Sequence, residues 1–249
     1  MENSRNGDTF LRHPKFPWPF SVRRSPRARN VRLIVSAEGL TVVVPRKFCV
    51  GRELEPILES RRDWIEKAVA KVGARVRQIE ETKGLPATID LPALGEKWSV
   101  VVAPLARDRL VMEEGRIVLT SDFRESEALS ALRHWLLFRG RLRLPPLLHS
   151  AAQHHSFQVA NVAVREQKSR WGSCSSKGNI SLNSRLLFLP PRLVSHVLLH
   201  ELCHLREMNH SRAFHALLEH LDPEAKRHAQ ELKRAWSMVP GWALQARSR

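Results

Sequence analysis

The sequence predicts an α+β protein with a β-rich N-terminal half and a helical C-terminal half. Short β-branched segments separated by turn residues occupy much of residues 31–120, whereas apolar residues at helical spacing dominate from residue 125 onward. The two kinds of segment do not alternate regularly, which argues against a parallel α/β sheet. The chain has 249 residues, of which 43% are apolar, enough for a core and for one large or two small domains.

The N-terminal half is predicted to hold a hairpin, one long helix and four further strands. Residues 31–35 alternate apolar and polar positions and residues 40–44 form a β-branched run, so a turn at 37–39 between them is typical of a β-hairpin. Apolar residues at helical spacing predict a helix over 51–77. The further strands are predicted at 88–91, 97–102, 110–113 and 116–120.

The C-terminal half is predicted to be helical around one strand-rich stretch. Residues 125–153 have a helical pattern that Pro145-Pro146 is expected to kink or split. Strands return over 157–187, on either side of a Gly/Ser-rich loop, WGSCSSKGN at 171–179. Start signals then predict helices at 191–207, 211–221 and 222–236.

These patterns divide the chain into four predicted regions. Residues 1–21 are polar and proline-containing and are expected to form a flexible tail. Residues 22–124 form the β-rich region with one long helix, and residues 125–238 form a second domain that carries the chemistry described below. Residues 239–249 are expected to form a C-terminal tail.

Composition narrows the expected partners and location. The formal net charge is +16, which favours an anionic partner such as nucleic acid or nucleotide, although a general basic bias would give the same balance. We find no run of about 18 apolar residues and no signal-peptide pattern, so we expect no membrane association. The 3 cysteines are too few for a disulfide framework, and we expect a cytoplasmic location.

The pattern His200-Glu201-Leu202-Cys203-His204 carries the strongest chemical signal. Residues four apart on an α-helix lie about 40° apart around its axis, so both imidazoles lie on one face and can share one Zn²⁺. Glu201 lies beside that face and can reach a metal-bound water without displacing a ligand. The surrounding residues are apolar, and polar groups in such a helix are costly without a partner. The alternative interpretation is an ordinary histidine-bearing helix.

A third protein ligand is best supplied by His210, six residues after His204. A catalytic zinc site uses three protein ligands and leaves its fourth position to water. Asn209 can adopt the left-handed conformation that turns the chain back toward the site. We therefore expect the helix to end near Met208 and His210 to complete the site. The alternative third ligands are His215, the main competitor, and Glu219 and Glu224.

The segment 165–183, just before the motif helix, is the second region of interest. A strand beside that helix can bind a peptide as an added strand. Arg165, Lys168 and Arg170 can bind a carboxylate, a phosphate or a developing oxyanion. Trp171 can line the cleft. The alternatives are a solvated strand face for the three cations and a core position for the tryptophan.

Several sequence runs together resemble a known family. The runs are REQKSRWGSCS at 165–175, GNISLN at 178–183, HELCHL at 200–205 and NHSRAF at 209–214. They are similar to the YgjP-like family of metal-dependent hydrolases, which is related to the SprT-like zinc metallopeptidases. RRSPRARNVRL at 23–33 and LGEKW at 94–98 also resemble the family pattern, so the similarity covers roughly residues 22–238.

The resemblance implies a zincin-like metallopeptidase domain over 125–238. By this resemblance His200, His204 and His210 are zinc ligands and Glu201 is the catalytic base. The family usually has tryptophan at the position of His215, so this chain carries an additional polar group near the expected site.

The leading prediction is a zinc-dependent metallopeptidase that hydrolyses peptide bonds with a metal-activated water and a glutamate general base. One alternative is a metal-dependent nucleoside triphosphate (pyro)phosphohydrolase, an activity attributed to YgjP-like proteins. The sequence shows no acidic cluster of the kind that holds Mg²⁺ in such enzymes, which counts against it. The other alternative is a nucleic-acid-associated protein with a structural zinc site, which would be closed by four protein ligands.

Overall fold

The computed structural model describes residues 9–11, 16, 18, 20–36, 39–81, 84–104 and 110–244. The chain forms two compact units, Met1–Glu80 and Glu81–Arg249. The boundary between the units falls inside the β-rich region 22–124, and the four sequence-based regions stay predictions. Sheets in the N-terminal half and helices in the C-terminal half confirm the predicted α+β class.

The first unit contains a mixed four-stranded sheet. Its strands lie in the order β1-β2-β4-β3 and are β1 (Thr9–Leu11), β2 (Phe20–Arg24), β3 (Arg32–Ser36) and β4 (Gly39–Val44). β3 and β4 pair antiparallel, which confirms the predicted hairpin, although turn residues 37 and 38 lie outside the described residues. β2 pairs parallel to β4.

Two helices, α1 (Val50–Ser60) and α2 (Arg62–Glu81), complete this unit. They replace the single helix predicted over 51–77 and meet at Arg61. Leu58 of α1 and Ile65 of α2 enter the same core as the strand residues, so the apolar spacing continues through the break. Periodicity alone therefore could not reveal it.

The segment that the sequence assigns to an N-terminal tail contributes to the sheet. β1 and the first residues of β2 belong to the predicted tail 1–21. Phe20 is 2% exposed and packs in the core of the first unit. Burial of a phenylalanine side chain stabilises the folded state by roughly 1.5–3 kcal/mol, which favours pairing of this segment.

The second unit begins with another mixed sheet and a long helix. The strands lie in the order β5-β6-β8-β7 and are β5 (Thr88–Leu91), β6 (Glu96–Ala103), β7 (Leu110–Glu113) and β8 (Arg116–Thr120), as predicted. Helix α3 (Glu125–His154) follows and runs through Pro145 and Pro146 without being split. Leu144 and Leu148, on either side of the prolines, are 0% exposed. Their burial offsets the two missing backbone donors.

The remaining elements surround one helix. The strands, in the order β10-β11-β9, are β9 (Asn161–Arg165), β10 (Gly172–Cys174) and β11 (Asn179–Asn183), and the helices are α4 (Pro191–Cys203), α5 (Arg212–Leu221), α6 (Ala225–Arg234) and α7 (Gly241–Leu244). Helix α4 packs against β10, α5 and α6. No helix in the described part of the chain is both long and apolar enough to cross a bilayer.

Two of these elements fall where the sequence predicted none. β10 lies in the Gly/Ser-rich loop 171–179, where it pairs antiparallel with β11. Its residues have little strand propensity, and this pairing stabilises the extended conformation. Helix α7 lies in the predicted C-terminal tail 239–249, and its Trp242 is 2% exposed.

A buried asparagine fixes the segment that leads into β10. Asn183 is 0% exposed, and its Nδ2 donates to the carbonyl oxygens of Gln167 at 2.8 Å and Arg170 at 2.7 Å. Its Oδ1 accepts from the backbone N–H of Arg185 at 3.1 Å. The Arg185 side chain continues the network, donating to Gln167 O at 2.6 Å and to Ala243 O in α7 at 2.7 Å. These bonds hold the backbone of 167–170 beside α4.

We expect Asn183→Asp to lower the free energy of unfolding by about 3 kcal/mol, because the carboxylate cannot donate to the two buried carbonyls. Urea denaturation followed by circular dichroism measures the change. Asn179→Asp, at an exposed position of the same strand, is the matched control and should stay within about 0.5 kcal/mol of the parent protein. Equal stability of the two variants would contradict this account of Asn183.

Candidate metal centre

Helix α4 brings the histidines of the motif to the centre of the second unit. Pro190 and Pro191 stand at its start, where a missing backbone donor costs nothing. Its apolar residues are buried, and Glu201 and His204 are buried with them, at 5% and 9% exposure. His200 lies one turn before His204, and their ring centroids are 4.9 Å apart. The predicted common face of the helix is therefore present.

His210 joins this pair because the helix ends early, and the expectation of a left-handed turn at Asn209 is wrong, since its φ is not positive. Helix α4 stops at Cys203, five residues before the expected end near Met208. The chain tightens there, since the N–H groups of Leu205 and Arg206 bond to carbonyls three residues back. Nε2 of His210 comes to lie 3.2 Å from Nε2 of His200. One ligand nitrogen from each of His200, His204 and His210 lies within 4.8 Å of the others.

The ring of Phe214 supports all three imidazoles. Its centroid lies 5.0, 4.7 and 4.8 Å from those of His200, His204 and His210 respectively. Phe214 is 0% exposed and belongs to the first turn of α5, which Ser211 caps by accepting from the Phe214 N–H at 3.2 Å. The sequence analysis gave Phe214 no role beyond its place in the run 209–214.

The electrostatics of the cluster favour the neutral, cation-binding form of His200 and His210. Burial, reinforced by the neighbouring histidines, lowers the pKa of His200 to about 3. Burial and the neighbouring rings also lower the pKa of His210. The Nδ1 of His204 lies 3.1 Å from the carbonyl oxygen of Glu207 and donates to it, which leaves Nε2 free. Neutral imidazoles oriented in this way are suited to hold a divalent metal.

The Glu201 carboxyl group, which lies beside the three histidines, has an unusually high pKa. Burial raises its pKa to about 7, against an opposing effect of Arg170. Its Oε2 is buried and has no hydrogen-bond partner among the described residues. A carboxyl group with a pKa near neutrality can both accept and return a proton.

Gly172 of β10 makes room for this carboxyl group. A Cβ at residue 172 would lie 2.6 Å from Oε1, 2.8 Å from Cγ and 2.9 Å from Cδ of Glu201. All three distances are too short for non-bonded atoms, so a side chain at residue 172 would displace Glu201. The close approach explains why a glycine stands inside a strand.

A pocket of about 260 Å³ opens beside Glu201. Its lining residues are Trp171, Gly172, His196, Val197, His200, Glu201, Ala229 and Leu232. Trp171 is half-buried and stacks on Trp236 with a centroid distance of 4.2 Å. The pocket therefore has one polar end, at α4, and apolar walls.

A family comparison identifies the class of protein. The model of the YgjP-like metallopeptidase domain matches residues 29–235. The chain belongs to the YgjP-like family. It is therefore a metal-dependent hydrolase of the metallopeptidase class, whose substrates are peptides or proteins. Nucleotide and nucleic-acid partners gain no support from the comparison and stay sequence-based predictions.

Two solved structures of metallopeptidase zymogens also resemble part of the chain. Abylysin of Pyrococcus abyssi is 29% identical, and the match covers 36% of this chain and 92% of abylysin with a TM-score of 0.34. Jannalysin of Methanocaldococcus jannaschii is 18% identical, with coverage of 37% and 96% and a TM-score of 0.34. Among curated proteins, none matches the chain significantly.

Within this YgjP-like domain, none of the alternative third ligands belongs to the cluster. The ring of His215 is exposed, and its centroid lies 6.3 Å from that of His210. Glu219 pairs with Lys226 at 3.0 Å, and Glu224 pairs with Arg227 at 2.7 Å. Neither carboxylate joins the group formed by the three histidines.

Of the four predicted substrate-contact residues, two are near Glu201 or its pocket and two do not line the pocket. Trp171 lines the pocket, and the charge of Arg170 acts on Glu201. Arg165 and Lys168 are exposed and do not line that pocket.

A second polar cluster, which the sequence did not predict, adjoins the pocket through His196. Nδ1 of His196 lies 2.6 Å from Oδ2 of Asp222, and Nδ1 of His228 lies 2.9 Å from the same atom. All three side chains are buried. A signal was present, because His196 precedes His200 by the same four residues that separate His200 from His204.

We expect Gly172→Ala to lower the free energy of unfolding by about 1–3 kcal/mol through overpacking. The added methyl meets Cγ as well as the carboxylate of Glu201, so the side chain of Glu201 has to shift from its packed position. Ser173→Ala, at the next position of the strand, is the control and should change stability much less. Urea denaturation compares the two, and equal stabilities would show that Gly172 is not required for space.

Proposed function

We propose that the protein is a zinc-dependent peptidase in which His200, His204 and His210 hold the metal and Glu201 is the general base. The observation that carries this proposal is the 3.2 Å separation of the Nε2 atoms of His200 and His210. Two nitrogens bound to one tetrahedral zinc at about 2.0–2.1 Å would be about 3.3 Å apart. A set of neutral imidazole donors also suits zinc better than magnesium or calcium, which prefer oxygen ligands.

The ligand number favours a catalytic over a structural metal. Within the described residues, the group around His200 contains three possible ligands, whereas a structural zinc is usually closed by four. When bound, zinc supplies a Lewis acid that polarises a carbonyl oxygen and lowers the pKa of water toward about 7. Three protein ligands would leave one coordination position of a bound zinc to substrate or water.

Glu201 is suited to move the proton that peptide hydrolysis requires. Its unpartnered Oε2 can accept a proton from the attacking water and return it to the leaving amide nitrogen. Because the carboxyl pKa is raised to about 7, both transfers are close to balanced near neutral pH. Gly172 keeps the carboxyl group at this position by leaving space for it.

The edge of the sheet beside α4 supports an extended peptide as the substrate. β10 is one of the two edge strands in the order β10-β11-β9, and its first residue contacts Glu201. A peptide that adds to β10 would pass the candidate metal centre with its backbone fixed by hydrogen bonds. Trp171 would then line the cleft, and Arg170 would lie near the reacting carbonyl. Arg165 and Lys168 stay predictions as substrate contacts.

We expect His200→Asn, His204→Asn and His210→Asn each to weaken zinc binding by more than about 100-fold, because each removes a ligand. Competition with a chromophoric chelator, together with metal analysis, measures the affinity. His215→Asn is the matched control and should keep stoichiometric zinc. If His215→Asn lost the metal while His210→Asn retained it, His215 would be the third ligand instead.

We expect Glu201→Gln to keep zinc at the parent level and to lower cleavage of denatured casein by about 10²–10⁴-fold, the usual contribution of a general base. Glu219→Gln removes a carboxylate at the surface of α5 and should leave cleavage unchanged. Fluorescent casein fragments measure the rate. Cleavage by Glu201→Gln at the parent rate would exclude Glu201 as the base.

A further inference from the structure

The cluster formed by His196, Asp222 and His228 has no part in the chemistry assigned so far. His196 lies on α4, Asp222 precedes α6, and His228 lies on α6. They are 3%, 8% and 6% exposed respectively. Burial of the Asp222 carboxyl group favours its neutral form, but the hydrogen bonds from His228 and His196 outweigh this and lower its pKa. The carboxylate is therefore ionised and accepts from both rings.

The shortest distances within this cluster are typical of hydrogen bonds. The carboxylate oxygen Oδ2 of Asp222 lies 2.6 Å from Nδ1 of His196 and 2.9 Å from Nδ1 of His228. These are the lengths of charge-assisted hydrogen bonds, shorter than the roughly 3.3 Å expected between two ligands of one tetrahedral zinc. The His200–His210 pair, at 3.2 Å, has the longer spacing.

The hydrogen bond to Asp222 determines which nitrogen His196 can offer to a ligand. Because Nδ1 donates to the carboxylate, the neutral form of this ring carries its lone pair on Nε2 and offers an acceptor there. His196 also lines the 260 Å³ pocket together with His200 and Glu201. Its ring centroid lies 6.3 Å from that of His200. A fixed acceptor in a pocket with apolar walls can select a peptide N–H group, because that group would otherwise be buried without a partner.

We propose that His196 contacts the substrate, accepting a hydrogen bond at Nε2 from an N–H group of the peptide in this pocket, and that Asp222 is the residue that positions it. Nδ1 of His228 lies 2.9 Å from the same carboxylate oxygen, Oδ2, and holds the carboxylate in place. This inference rests on the proposed peptidase function, whose substrate recognition it specifies. Because the proposed contact acts in substrate binding, its loss should mainly raise KM.

The principal test uses His196→Asn in the zinc-loaded protein. The asparagine amide can replace Nδ1 as a donor to Asp222 but does not reach the position of Nε2. We expect KM for denatured casein to rise about five- to tenfold, the effect of one hydrogen bond, with kcat, zinc content and the thermal midpoint near the parent values. His149→Asn, at an exposed position of α3, is the control and should change none of these.

Asp222→Asn tests the positioning role through a readout that a purely structural role would not affect. An asparagine amide at residue 222 can donate to Nδ1 of His196, which shifts the ring proton to Nε2 and turns that nitrogen into a donor. KM should then rise as in His196→Asn, and nitrogen-15 shifts of the ring should report the changed tautomer. When Asp222→Asn is combined with His196→Asn, it should not raise KM further, because Asp222 acts only through His196.

A binding measurement separates this inference from the peptidase proposal. Zinc-loaded Glu201→Gln protein is titrated with denatured casein, with and without His196→Asn. Weaker casein binding by the protein that carries both Glu201→Gln and His196→Asn than by Glu201→Gln alone supports the inference, even if none of the proteins cleaves casein. Equal binding overturns it, as does an unchanged KM in His196→Asn. A second zinc per chain that Asp222→Asn removes would also overturn it, since the cluster would then be a metal site.

Discussion

The convergence of three imidazoles on one point is the constraint on which the rest of the site depends. His200, His204 and His210 place their ligand nitrogens within 4.8 Å of one another, and the ring of Phe214 lies close to all three. Burial and mutual proximity keep His200 neutral, so the cluster disfavours protons and suits a cation. The early end of α4 and the capped start of α5 both serve this convergence.

A second constraint is the close approach of β10 to α4. Glycine at residue 172 lets the strand lie against Glu201, and the enclosed carboxyl group acquires a pKa near neutrality because it is removed from water. Asn183 fixes the preceding backbone through the carbonyls of Gln167 and Arg170. The strand that can receive a peptide and the carboxyl group that can act on it are thus positioned by the same contacts.

The two histidine clusters along α4 show how spacing and partners decide the role of a side chain. His200 and His196 stand one turn apart on the same helix. The ring of His200 lies against other imidazoles and Phe214, whereas that of His196 contacts the ionised carboxylate of Asp222 at 2.6 Å. An imidazole that donates to a carboxylate is oriented without a metal, which leaves its other nitrogen available in the pocket.

The sequence by itself determined the α+β class, the four strands over 88–120 and the motif helix, because these depend on local periodicity and capping. It also singled out His200, Glu201, His204 and His210 as the residues to examine. Only the tertiary structure decided that Pro145-Pro146 stays within α3, that β10 is a strand, and that His196 meets Asp222 and His228. Each of these depends on contacts between segments far apart in the chain, and burial and hydrogen bonding across such distances have no periodic signature in the sequence.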